Sequence, residues 1–134
     1  MKVVALVSGG KDSVYSMMEC VRLGHEIVAL ANLHPGEAAG TQELDSFMFQ
    51  TVGHNVVPAL AECMGLPLFR IPTAGKAAQS SLGYSTPGGS GVVDEVEDMF
   101  TLLGYVKASL PGGVDAVASG AILSNYQRTR VENV

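Results

Sequence analysis

Short apolar runs ending in glycine or turn residues alternate along this chain with stretches whose apolar residues recur at helical spacing. Lys2 to Val7 is almost continuously apolar and stops at Ser8-Gly9-Gly10, the pattern of a strand buried on both faces of a parallel sheet. From Ser13 the period changes, and Val14, Met17, Met18 and Val21 predict a core-facing helix closed by Gly24. Ile27 to Leu33 repeats the buried-strand pattern and completes a βαβ unit. Val56, Val57, Leu60, Ala61 and Met64 predict a second helix with Asn55 as N-cap, Pro58 in its first turn and Gly65 at its end. Leu68 to Ile71 reads as a third strand. A third helix starts at a capping box, Asp94 with Glu97, and carries Val96, Met99, Phe100, Leu103 and Leu110 as its apolar stripe. Val114 to Ala118 reads as a fourth strand, followed by Ser119-Gly120-Ala121 and a second capping box, Ser124 with Gln127, that opens a fourth helix.

Two stretches resist this reading. Pro and Gly break regularity from His34 to Gly40, and Glu43 to Thr51 fits helix and extended chain equally. Gly75 to Gly91 holds Gly83, Gly88, Gly89 and Gly91 among Ser and Pro, a surface loop of a length usually functional or disordered. The alternation of strands and helices predicts an α/β fold with an open parallel sheet, whose ligands sit at the carboxyl ends of the strands.

Length and composition narrow the picture. At 134 residues, 47% hydrophobic and 16% charged, the chain is expected to fold as one domain, 1–134, around one core. Thirteen acidic against eight basic residues leave a net charge of -5, and no basic stripe is present to neutralise a phosphate backbone, so nucleic acid is not expected as the main partner. Cys20 and Cys63 have neither a CxxC nor a CxxH neighbour, which removes support for a zinc site or a disulfide framework and fits a cytoplasmic protein. No apolar run approaches the roughly 18 residues of a membrane span, so no membrane partner is expected.

Ser8-Gly9-Gly10-Lys11-Asp12-Ser13 stands where the first strand hands over to the first helix, the position where backbone N–H groups and the helix dipole hold an anion. Gly9 and Gly10 allow close approach to phosphate oxygens, Lys11 adds a positive charge, and Ser8 and Ser13 add hydroxyl donors. Asp12 would act through a magnesium ion or by supporting the helix start. A plain glycine turn is the competing reading. A Walker loop is excluded, since it would need Gly at Ala5 and Ser or Thr at Asp12.

The Ser8–Ser13 hexapeptide resembles the PP-loop of the adenine-nucleotide α-hydrolase-like superfamily, which implies a Rossmann-like sheet and cleavage of ATP between its α and β phosphates. Three further segments, Glu43–His54, Gly91–Asp98 and Ser119–Val134, resemble the diphthine–ammonia ligase family, and with the loop they cover nearly the whole chain apart from Gly75–Ser90. That resemblance implies amidation of the diphthine carboxylate of elongation factor 2 with ammonia and ATP. It would proceed through an acyl-adenylate, with release of pyrophosphate and then AMP, and with Mg2+ offsetting charge. Lys11, Asp12 and Arg128 would serve catalysis, Asp12 the metal, and Ser119, Gly120, Ser124, Tyr126, Gln127, Arg128 and Arg130 the substrate. Read without the resemblance, the last segment is a capped helix with an Arg128–Glu132 pair on a solvated face.

His54 reads equally as a turn histidine or a base, and Glu95, Glu97 and Asp98 are explained by helix capping. Met17, Met18 and Met64 read as core. The family continues beyond Val134 into a further strand and a substrate-binding region. The expectation is therefore a sheet truncated after the fourth strand and its helix, with an exposed edge, retaining ATP binding but not ligase activity. A PP-loop enzyme modifying tRNA, or an ATP-binding module without catalysis, are the alternatives.

Overall fold

The computed structural model describes residues 1–35, 53–73, 95–121 and 124–134. The elements are β1 (Lys2–Leu6), α1 (Lys11–Arg22), β2 (Glu26–Pro35), a 3-10 turn (His54–Val56) running into α2 (Val57–Met64), β3 (Leu68–Thr73), α3 (Glu95–Ser109), β4 (Ala116–Ala118) and α4 (Asn125–Asn133). The predicted α/β class and open parallel sheet are present: the strands pair in the order β3-β2-β1-β4, all parallel. The uncertain stretch 43–52, the loop 75–91 and the Asp94 half of the first capping box lie outside the described residues.

Helices cover both sheet faces. Val3, Ala5, Val7, Ile27, Leu30 and Ala118 form one core with Met17 of α1 and Val57 and Ala61 of α2. Val4, Ala29, Ala31 and Leu33 form the other with Val96, Met99, Leu102 and Val106 of α3, against which Val131 and Val134 also pack. Being buried on both sides is why the centres of β1 and β2, residues 3–6 and 27–31, are continuously apolar rather than alternating. The pairing of β1 with β2 is not uniform. Val3 faces Ile27 but Val4 faces Ala29, so Val28 is an extra residue without a partner on β1. That bulge is why Ile27 and Leu30, three apart, share a face.

Several details differ from the sequence reading. Asn55 is not an N-cap, because it sits inside the 3-10 turn, whose start is Gly53 in the left-handed region, and Val56 precedes α2. Met18, Val21 and Met64 are exposed, leaving Met17 as the core methionine of α1. On α3, Phe100 is exposed, while Leu102 and Val106 are buried; Leu103, and Leu110 just beyond the helix end, only border the core. β4 begins at Ala116, two residues later than expected.

The order of the strands places the site. The chain runs outward from β1 through β2 to β3, then returns to lay β4 on the other side of β1. The connections leaving the carboxyl ends of β1 and β4 diverge there and open a crevice, the usual ligand position in such sheets.

The burial difference on α3 is directly testable. Leu102→Ala is expected to cost about 2–5 kcal/mol of unfolding free energy through the cavity it leaves. Phe100→Ala, at a position 61% exposed, should stay within about 0.5 kcal/mol in the same urea titrations.

Candidate functional site

The crevice is a cleft of about 200 Å³ walled by the ends of three strands and by two loops. Leu6, Val7, Ser8, Gly10, Asp12 and Ser13 supply one wall, Ala31, Asn32 and Leu33 the floor beside it, and Ser119, Gly120, Ala121, Gln127 and Val131 the facing wall. Its volume falls below the roughly 300 Å³ at which small-molecule pockets begin. A cleft of this size encloses only part of a larger ligand.

The first wall is the strand-to-helix junction. Gly10 is the N-cap of α1 in an extended conformation and makes no side-chain cap, so the first-turn amides of the helix have no intrahelical partner, and Gly10, Asp12 and Ser13 border the crevice. Ser8 Oγ accepts from the Gly10 amide at 3.3 Å, and Ser13, buried, donates its hydroxyl to the Gly10 carbonyl at 2.8 Å. Both serines therefore shape the loop as well as bordering the cleft. Gly9 has φ +83°, and a Cβ there would run into the Gly53 carbonyl. Only glycine meets both demands.

Lys11 and Asp12 are exposed, and the Lys11 ammonium lies 3.0 Å from Asp12 Oδ1. Asp12 borders the cleft; Lys11 is not part of its lining. Among the described residues no three His, Cys, Asp or Glu side chains gather into a metal site, so Asp12 stands as a single carboxylate at the mouth.

The facing wall is pressed against the first. A Cβ on Gly120 would lie 2.7 Å from the Ser13 amide nitrogen and 2.9 Å from the Asp12 carbonyl carbon, so the turn after β4 rests on the first turn of α1 with no side chain between. Ser16 donates to the Ser119 carbonyl at 3.2 Å, and Ser119 Oγ accepts from the Ala121 amide at 3.2 Å. Ser124 caps α4 as expected, accepting from the Gln127 amide at 3.2 Å. Gln127 lines the cleft. Arg128 is exposed and pairs with Glu132 at 3.3 Å, away from the lining, while Arg130 is fully buried and also outside it. Tyr126 lies on α4, with its side chain outside the described residues.

Sequence reasoning missed a polar group beneath the loop. Asn32, 3% exposed in the middle of β2, donates to the Val7 carbonyl at 2.7 Å and accepts from Arg70 Nε at 2.9 Å. Arg70 Nη2 reaches His54, at 3.3 Å from its carbonyl and 3.4 Å from Nδ1. A guanidinium only donates, so a hydrogen bond across the second contact uses the His54 tautomer that leaves Nδ1 without a proton. The His34 ring lies roughly parallel to that of His54, 6.4 Å away, and its Nδ1 donates to the Pro35 carbonyl at 2.8 Å. Burial, the Arg70 charge and His34 push the His54 pKa down, and burial lowers that of Arg70. The available signal was a polar residue inside the apolar run Ile27–Leu33.

Over residues 1–134 the chain matches the family described as diphthamide synthase N-terminal domain. Across its whole length it is 54% identical to a diphthine–ammonia ligase of Danio rerio, 51% to that of Homo sapiens and 52% to that of Schizosaccharomyces pombe. It spans about half the length of the two vertebrate relatives, 50% and 48%, and 21% of the fission-yeast one. Among the described residues no helix is long and apolar enough to cross a membrane.

Two outcomes are expected from this geometry. Gly9→Ala combines a left-handed backbone with a backbone collision and should lower stability by at least about 1–2 kcal/mol, read by urea unfolding. His54 favours its neutral form when folded, whereas the unfolded chain takes up a proton near the ordinary value of 6.5. Its contribution is complete above that pH and is lost as pH falls through the depressed folded value. Urea titrations on either side of this window should show wild type losing more stability on acidification than His54→Asn.

Proposed function

The chain belongs to the diphthamide synthase N-terminal domain family, and on that premise we propose that it is the ATP-binding part of a diphthine–ammonia ligase. The observation that carries this reading is the cleft at the carboxyl ends of β1, β2 and β4. It is bordered by the uncapped start of α1 and by Gly120, where a methyl group would collide with that first turn. Such a place suits a polyphosphate, because the amides supply fixed donors and the helix dipole favours negative charge.

In the proposed reaction a carboxylate oxygen of diphthine on elongation factor 2 attacks the α-phosphorus of ATP, and the bond to the bridging oxygen breaks with pyrophosphate leaving. Ammonia then attacks the activated acyl carbon, AMP leaves with its electron pair, and a proton is lost to give the amide. The uncapped first-turn amides of α1 would hold the phosphates as fixed donors, the Gly10 amide being already bonded to Ser8 Oγ, and that is where the barrier would be lowered. Lys11, on its flexible stem, would offset charge on the departing pyrophosphate, and Asp12 is the carboxylate that would help hold Mg2+, which would supply Lewis acidity toward phosphate oxygens. No side chain is needed as a nucleophile.

The second wall faces the reacting carboxylate. Ser119, Gly120, Ala121 and Gln127 lie across the cleft from the phosphate loop and orient the acyl group. Arg128, exposed beyond the lining, is placed to meet the protein substrate rather than the nucleotide. Acidic net charge and the absence of a basic stripe favour a protein substrate over tRNA.

The test is a titration of Mg-ATP into the protein and into the Lys11→Ala, Asp12→Ala double variant, followed by ATP–pyrophosphate exchange with diphthine-bearing elongation factor 2. The double variant should bind about tenfold or more weakly, the scale of one lost charge-assisted contact. Exchange should require the modified factor and not respond to tRNA. Arg128→Ala should slow exchange while leaving ATP affinity within about twofold, because it removes no phosphate contact. Equal ATP affinities for wild type and double variant would remove the phosphate-loop assignment.

A further inference from the structure

Arg70 is not part of the cleft lining, yet its contacts reach the phosphate loop by two routes. On one, Nε donates to Asn32 Oδ1 at 2.9 Å, and Asn32 Nδ2 in turn donates to the carbonyl of Val7, the residue from which the loop departs. The Val7 amide is held as well, donating to the Ala31 carbonyl at 2.9 Å. On the other, Nη2 lies 3.3 Å from the His54 carbonyl and 3.4 Å from its Nδ1. His54 follows Gly53, whose carbonyl occupies the place a Gly9 side chain would need and accepts from the Val56 amide at 3.0 Å. The contacts close a ring through Val7, the loop, Gly53, His54, Arg70 and Asn32.

We propose that Arg70 is a positioning residue for the phosphate loop, setting the backbone of Ser8 and Gly9 from both ends through Asn32 and His54. A planar fork is suited to this, since Nε and Nη2 can donate in two directions at fixed separation, whereas a lysine ammonium is a single point. Asn32 is equally specific. It uses both ends of its amide, one toward Val7 and one toward Arg70, so neither an acid nor an aliphatic residue replaces it. Among the described residues the groups facing His54 are Arg70 from β3 and His34 from β2, both of which disfavour a proton on its ring. Acid therefore weakens the second route: a proton on Nδ1 removes the acceptor and sets two cations side by side.

This inference rests on the ATP-binding reading for its functional effect, but not for its structural one, and the experiment separates them. Amide exchange at Val7 and Gly10 is measured in the ligand-free protein, with Val4 of β1 as internal reference, alongside Mg-ATP affinity between pH 5.5 and 7.5. Arg70→Lys should raise exchange at Val7 and Gly10 by about tenfold relative to Val4 and weaken ATP binding by a similar factor, the scale of one hydrogen bond to a charged group. His54→Asn keeps a neutral acceptor near the Nδ1 position. It should match wild type at pH 7.5 and lack the additional loosening of the loop that wild type shows toward pH 5.5. If Arg70→Lys fails to fold, His54→Phe, which keeps the ring and removes the acceptor, should reproduce the rise at Gly10.

Unchanged loop exchange in a folded variant, or a rise shared equally by Val4, overturns the proposal even if wild type binds ATP. A selective rise in a protein that binds no ATP upholds the positioning role and overturns the nucleotide reading instead.

Discussion

Backbone meets backbone at Gly120, where the turn after β4 rests on the first turn of α1 with less room than one methyl group requires. The arrangement of the cleft depends on that contact. It fixes how far β4's turn stands from the phosphate loop, and the Ser16 hydroxyl bonded to the Ser119 carbonyl keeps the two from sliding. A second contact of the same kind, Gly9 against Gly53, fixes the other side of the loop. Van der Waals repulsion between main-chain atoms is steep and has no rotamers to relax through, so it sets positions more sharply than packed side chains can.

Rigid placement of the loop requires a support that does not fill the cleft, and the fold supplies it from below. Asn32 lies within a strand otherwise given to core packing, where an unsatisfied amide would cost about 1–3 kcal/mol. Both of its ends are satisfied, by Val7 and Arg70, so the polar group is tolerated and gains a directional role that an aliphatic residue lacks. Arg70 is half-buried and keeps its charge despite the desolvation that lowers its pKa, because its donors are spent on a carbonyl, an amide oxygen and a ring nitrogen.

Much of this was legible in the sequence, for reasons that differ by element. β1 and β2 were readable because double burial leaves no polar alternation, and the turn from β1 into α1 because Gly9 and Gly10 end one apolar pattern and Ser13 begins the next. The Ser124 cap was readable because capping is local chemistry, settled within one turn. The buried face of α3 was only partly assigned, with Val96 and Met99 placed correctly and Phe100 not, because the helix carries apolar residues on most sides. Periodicity alone admits Phe100 where contact with the sheet selects Leu102 and Val106. Asn55 resembled a cap by type, yet the chain enters α2 through a 3-10 turn begun by left-handed Gly53, and that depends on Gly9 across the gap. Asn32 and Arg70 were passed over because their partner is 38 residues away in sequence and meets only through the pairing of β2 with β3.

The unpaired residue in β2 has a reach beyond its own strand. From Ala29 onward every side chain of β2 points where it does because Val28 has been spent without a partner. Leu30 and Ala31 thereby enter opposite cores in step with Ala5 and Leu6, and Asn32 arrives beneath the loop rather than on the other face. A single residue thus acts as a phase offset shared by hydrophobic and polar positions alike. The strand can exchange one aliphatic side chain for another with local consequences, but gaining or losing a residue between Ile27 and Asn32 would invert both cores and the loop's support together. In that segment, residue count is under tighter constraint than residue identity.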